Sequence, residues 1–287
     1  MWPENQPRPL AGRAPRLQTP PGATDTHMHI YTRRHAGRPG GPPPPAQEAT
    51  VADYRRIQQW LGLQRVVVVQ GNAYQADNAC LVEALGELGP CARGVAVVTP
   101  ETGAAELERL TAAGVRGARI MNLPGGAVGL DRIAAVSERV RPFGWHLIVQ
   151  FDGRDFLAHE AALTALPGPY VVDHIGKFLE PVPPEHPAFQ GLLRLVGRGD
   201  VYVKLAAPYE TSRRGGPLYE DVGRLARALV AAAPDRLLWG SNWPHVGVPR
   251  ERYPDDAELL DVLLDWAPDE ALRRRILVDN PARLYGF

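Results

Sequence analysis

Val66-Val67-Val68-Val69-Gln70 is a run of four β-branched residues that stops at a polar one. A strand with water on one face alternates apolar and polar residues. A short run that is apolar throughout suits a strand buried on both faces, as in a parallel sheet. The same kind of run occurs upstream, in Ala23-Thr24-Asp25-Thr26-His27-Met28-His29-Ile30. It recurs downstream over Gly94–Val98, Val115–Met121, His146–Phe151, Tyr170–Ile175, Val201–Leu205 and Leu237–Asn242. Between these runs, Ala79–Leu88, Ala104–Ala113 and Leu218–Ala233 space their apolar residues three and four apart, which predicts helices. Eight strands with helical crossovers predict an α/β fold, a (β/α)8 TIM barrel. An open doubly wound sheet is the competing architecture. Against it, no Gly-rich dinucleotide fingerprint follows any strand.

The chain has 287 residues, which suits one barrel of roughly 250. The barrel is expected over 23–287, with the proline-rich and polar segment 1–22 as a flexible or wrapping arm. Gly37 to Pro45 ends in four consecutive prolines and reads as a polyproline-type loop after the first strand. It is either a rigid surface loop or a lid. Lys plus Arg number 32 and Asp plus Glu 32. That balance gives no general attraction for nucleic acid or an anionic membrane. Any anion must be gripped by a few placed residues. No apolar run reaches about 18 residues, so no membrane span is expected. With no readable secretion signal and only Cys80 and Cys91 as thiols, the expected compartment is the cytoplasm.

Chemistry in a β/α barrel sits at the C-terminal ends of the strands. His27 and His29 end the first strand two residues apart, so both rings point to one face. Arg119 falls near the end of the fourth strand, where a guanidinium is costly unless it meets an anion; its planar fork suits a carboxylate. Further polar ends are Gln70 and Asn72, Gln150 and Asp152, Asp173 and His174, Lys204, and Asn242 and His245. Taken singly, Gln150 and Lys204 are as well explained by structural roles. Their accumulation at strand ends points to a site.

These residues resemble the amidohydrolase superfamily, in its branch related to 2-pyrone-4,6-dicarboxylate lactonase. The ordered pieces are Asp25-Thr26-His27-Met28-His29, Asp173-His174-Ile175-Gly176-Lys177, Trp239-Gly240-Ser241-Asn242-Trp243-Pro244-His245 and Asp279-Asn280-Pro281-Ala282-Arg283-Leu284-Tyr285. The resemblance implies a (β/α)8 barrel. Gln70-Gly71-Asn72-Ala73, the stretch from Gly117 to Val128 and Val149-Gln150-Phe151-Asp152-Gly153 narrow it to enzymes that convert a six-membered galactarolactone into its five-membered isomer. Metal-binding members carry ligands where this chain has Arg119, Gln150 and Asn242. The resemblance therefore implies no metal and no other cofactor, although His27, His29 and His174 remain.

The implied mechanism is intramolecular acyl transfer. Arg119, helped by Lys204, binds the substrate carboxylate, with Gln70, Asn72, Gln150 and Asp173 as further binding residues. His27, His29 and Asn242 polarise the lactone carbonyl. His174 or His245 moves the proton between attacking and leaving hydroxyls. Three other readings compete: a lactonase acting on the same class of substrate, a zinc-dependent decarboxylase, and an inactive sugar-acid binding protein. Sugar stereochemistry and oligomeric state are left open.

Overall fold

In a computed structural model, which describes residues 8–249 and 252–287, eight parallel strands follow one another in chain order around one sheet. They are β1 (Thr24–Met28), β2 (Arg65–Val69), β3 (Ala92–Ala96), β4 (Val115–Met121), β5 (His146–Gln150), β6 (Tyr170–Val172), β7 (Val201–Ala206) and β8 (Leu237–Gly240). The helices between them are α1 (Val51–Leu61), α2 (Ala79–Leu88), α3 (Ala104–Ala112), α4 (Ile133–Val140), α5 (Phe156–Ala165), α6 (Pro187–Val196) and α7 (Glu220–Ala232). Four short helices follow β8: α8 (Asp256–Asp261), α9 (Leu263–Trp266), α10 (Glu270–Arg274) and α11 (Asn280–Tyr285). None of the described helices is long and apolar enough to cross a membrane.

The valine run that predicts β2 is buried on both faces for a geometric reason. Val66 and Val68 pack in the layer between sheet and helices, whereas Val67 and Val69 join Val95, Ile148, Val171 and Leu238 inside the barrel. Tyr285, from α11, closes that inner cluster. Asn280 fastens α11 by donating from Nδ2 to the carbonyls of Pro234 and Leu237 (2.9 and 2.8 Å). The closing motif around Asn280 is thus a plug and its anchor.

Closure between β1 and β8 rests on Asp25. Its carboxylate accepts from the backbone N–H of His27 and Ser241, and from the hydroxyls of Tyr54 and Ser241. Four donors reduce the cost of burying this carboxylate, although burial still raises its pKa above the usual value. Beyond β8, the N–H of Asn242 donates to His27 O and that of His29 to Trp243 O, each at 2.8 Å. Gly240 permits the approach: a Cβ there would lie 2.9 Å from the His27 backbone nitrogen.

Several expected boundaries move. β3 begins at Ala92 and ends at Ala96, because the N–H of Val97 leaves the sheet to donate to Asn78 Oδ1 at 3.0 Å. β6 and β8 stop short of Asp173 and Asn242, where the chain turns out of the barrel. Described residues 8–22 form a strap against α1 and α8: Leu17 is buried and its N–H donates to Asp261 Oδ1, while Trp60 Nε1 donates to Arg13 O. Residues 1–7 of the expected arm lie outside the described residues.

Candidate active site

A cavity of about 310 Å³ opens at the C-terminal mouth of the barrel. Of the residues singled out from the sequence, it is lined by His29, Asn72, Arg119, Gln150, His174 and Asn242. Lys177 and Glu210 also line it, and sequence reasoning had not placed either in the site. Lys177 ends the Asp173–Lys177 motif, so a signal existed. Glu210 lies on the turn after β7, beyond the last strand residue, and carried none. Pro42 of the proline-rich loop forms part of the wall; Arg38 ties that loop down through its N–H to Ala73 O and its ion pair with Asp77.

His27, Gln70, Asp173, Lys204 and His245 do not line the cavity. Gln70 spends its side-chain Nε2 on the carbonyls of Gln75 and Asp77. Lys204 is fully buried in mid-strand, facing the barrel interior under the site. Its Nζ lies 3.1 Å from His27 Nδ1 and 3.6 Å from Asp173 Oδ1. Lys204 is therefore a support beneath the floor and not a grip on the substrate carboxylate. Burial pushes it down to about 8, with Asp173 pulling the other way. Asp173 is likewise a floor residue, 3.2 Å from His27 Nδ1 through Oδ1. Burial works against its charge, but the ammonium of Lys204 and the hydrogen bond from His27 hold its carboxyl well below the usual range. Burial pushes His27 well below the usual histidine value, opposed by Asp173.

Above this floor burial favours the neutral form of both imidazoles. Burial, then repulsion from Arg119, holds His29 down to about 3. Its Nδ1 lies 2.8 Å from Val69 O, so the ring proton sits there and Nε2 is left as an acceptor. Burial also depresses His174 strongly, against the pull of Asp173.

Arg119 is 5% exposed at the cavity wall, a cost that needs an explanation. Its NH1 donates to Gln70 O (2.8 Å) and its NH2 to Gln150 Oε1 (3.0 Å). Both acceptors are neutral, and among the described residues no carboxylate pairs with it. The Arg119 bond also fixes the Gln150 amide, leaving its Nε2 hydrogens for a ligand.

On the opposite wall, Asn242 Nδ2 donates to Tyr209 OH (2.7 Å) and to Glu210 Oε1 (3.0 Å). Both amide hydrogens are spent, so Asn242 offers the cavity an acceptor oxygen instead of the carbonyl-polarising donor expected from sequence. The network continues behind it. Tyr209 OH lies 2.9 Å from His245 Nδ1, and His245 Nε2 lies 2.9 Å from Asp256 Oδ1. His245 thus acts on the site only through Tyr209. Glu210 Oε2 pairs with Lys177 Nζ. Burial pushes Lys177 down to about 8, Asp173 opposing and Arg119 adding to the shift; the Glu210 contact favours its charged form. Backbone strain concentrates here: His174, Lys177 and Asn242 have φ of 49°, 50° and 59°, a left-handed region costly for such residues.

His27, Asp173 and His174 bring three ligand-type atoms within 4.8 Å of one another, the one grouping among the described residues with the donors for a metal ion. The fit is poor. Lys204 already puts a cation against His27 and Asp173. The Arg119 guanidinium is close enough to act on His29 and His174. Gln150 has its oxygen committed to Arg119, and at the end of β8 Asn242 offers a neutral amide oxygen where a carboxylate would bind a dication better. A dication would add charge to a place already compensated.

The fold and site define a (β/α)8 barrel whose mouth holds a small polar cavity and a guanidinium, that of Arg119, which pairs with no carboxylate among the described residues. The chain belongs to the amidohydrolase family, whose model matches residues 24–287. It is 45% identical to a D-galactarolactone isomerase from Agrobacterium fabrum, over 97% of this chain and 96% of that one. It is 34% identical to a 2-pyrone-4,6-dicarboxylate hydrolase from Comamonas testosteroni, over 94% and 92% of the two chains. An apo crystal structure from Agrobacterium tumefaciens superposes with a TM-score of 0.94 at 44% identity, covering 98% of this chain and 99% of that one.

Proposed function

We propose that the protein is an isomerase converting D-galactaro-1,5-lactone into D-galactaro-1,4-lactone in aldarate breakdown, without a metal and in the cytoplasm of a bacterium. The reaction is assigned to the barrel over residues 23–287. The observation that carries the reading is Arg119, a buried guanidinium at the cavity wall with only neutral acceptors around it. A substrate carboxylate supplies the missing charge, and the isomerase relative supports the choice of lactone.

Attack by the substrate's own hydroxyl on its ring carbonyl is intramolecular, so most of the proximity is built into the substrate. The chain must hold the carboxylate, orient the ring and stabilise charge on the carbonyl oxygen. Arg119 takes the carboxylate. Asn72 and the free Nε2 of Gln150 donate to ring oxygens, while Nε2 of His29 and the amide oxygen of Asn242 accept from ring hydroxyls. His174 borders the reacting carbonyl. His27, Asp173 and Lys204 hold the floor, and His245 holds Tyr209 and thereby Asn242.

Hydrolysis is the second reading, because one carboxylate, Glu210, does face the cavity and is able to activate water. Incubation with fresh galactaro-1,5-lactone in H₂¹⁸O, followed by carbon NMR and mass spectrometry, separates the two. The 1,4-lactone without incorporated label is expected. Labelled open-chain acid as the first product replaces the isomerase by a lactonase, and an inert lactone refutes both.

A further inference from the structure

We propose that Glu210 and Lys177 are the catalytic proton carriers of the lactone exchange, working as one self-restoring acid–base pair; this rests on the isomerase reading. Among the described residues lining the cavity, Glu210 is the only carboxylate and Lys177 the only amine. Both reach the cavity from the turns after two neighbouring strands, β6 and β7. They meet there through Lys177 Nζ and Glu210 Oε2.

The geometry also disqualifies the histidines. His29 gives its ring proton to Val69 O and has only an acceptor to offer. A group held down to about 3 is a weak base at neutral pH and has no proton to return. His174 Nδ1 is buried without a hydrogen-bond partner that could relay a proton, and burial depresses the ring. His27 and His245 lie behind the cavity wall. Asn242 does not titrate, but its Nδ2 points at Glu210 Oε1. Glu210 stands one strand over, and the Asp256–His245–Tyr209–Asn242 chain keeps it aimed.

The step balances within the pair. Glu210 takes the proton of the ring hydroxyl that attacks C1, and the new C–O bond forms as the carbonyl electrons move onto oxygen. Collapse of that oxyanion restores the carbonyl and breaks the old ring C–O bond. The departing oxygen takes a proton from Lys177. Glu210 then returns its acquired proton to Lys177 across their contact. No water is consumed, nothing is oxidised, and the pair ends as it began.

The test uses full-length wild-type protein, Glu210→Gln, Glu210→Ala, Lys177→Met and Lys177→Ala, with isomerisation followed by NMR above the spontaneous rate. Loss of general acid–base help lowers turnover by about 10²–10⁴-fold, so Glu210→Gln and Lys177→Met are expected to lose that much while KM moves by less than about threefold. Formate is expected to restore part of the Glu210→Ala rate, and methylamine part of the Lys177→Ala rate, which a packing role would not allow. A Glu210→Gln rate within about threefold of wild type overturns the proposal. So does a loss in the alanine variants that neither small acid nor amine relieves. If Glu210→Gln does not fold by circular dichroism, Lys177→Met and the amine rescue decide alone. An inert wild type refutes the lactone reading itself and is thereby distinguished from a failure of this pair.

Discussion

Asn242→Asp places a second carboxylate beside Glu210. In the wild type, Asn242 Nδ2 donates to Glu210 Oε1 at 3.0 Å. An aspartate oxygen in that place accepts only, so a hydrogen bond becomes a repulsion between like charges. At 3.0 Å and an effective dielectric of about 20, Coulomb's law gives about 5 kcal/mol. Lys177 on the other oxygen of Glu210, and solvent at its 23% exposed side chain, reduce this. About 2–3 kcal/mol remains, or roughly two pKa units. The two carboxyls then titrate as a coupled pair whose second ionisation is displaced upward.

The sign follows from linkage. A carboxyl with a raised folded-state pKa costs nothing below its unfolded value, near 4, where it is neutral in both states. The full cost appears above the folded value. Asn242→Asp is therefore expected to melt with the wild type near pH 4 and on the order of 3–5 °C below it at pH 8. Isomerisation at pH 7.5 falls at least tenfold, since Glu210 no longer has Asn242 as a donor. Scanning fluorimetry from pH 4 to 8 and NMR rates on matched samples check both. A melting difference that does not change with pH, or equal rates, would refute the electrostatic coupling of residue 242 to Glu210.

Arg119→Met should raise KM about ten- to a hundredfold, the worth of a charge-assisted bidentate contact, without lowering the melting temperature; unchanged steady-state kinetics would make Arg119 structural. Chelator-dialysed protein, checked for metal by mass spectrometry, should keep full isomerase activity. Activity lost on dialysis and restored by zinc contradicts the charge argument around Lys204. Asp261→Asn tests the strap. Burial works against the Asp261 charge, but Leu17 N–H, Arg13 and Arg16 hold its carboxyl below the usual range. The stability it contributes is present above the unfolded value near 4 and is lost as pH falls. The variant should lose about 1.5–3 kcal/mol in urea at pH 7, and the difference should shrink progressively as pH falls below about 4 through the lowered folded value; equal urea midpoints at pH 7 would show that the strap is idle.

The barrel was legible in the sequence because burial on two faces imposes a local signature. Val66 to Val69 is apolar throughout since alternate residues enter two different dry layers, and Val115–Met121 was bounded correctly because both ends meet turns. His29, Arg119, Gln150, His174 and Asn242 were legible as cavity residues for a related reason: the strand ends meet at the mouth, although His27, Gln70 and Asp173 there turn to protein partners. Closure of the barrel decided the rest. Lys204 lies in mid-strand, and its inward direction made it a support under His27 instead of a substrate contact. The left-handed turns at His174, Lys177 and Asn242 carry side chains out of the strand alternation, so no periodicity placed Lys177 against Glu210. Strand spacing encodes which residues are buried together along one segment. Which loop ends meet across the mouth depends on eight strands closing in one register, and that long-range pairing leaves no mark in any local stretch of sequence.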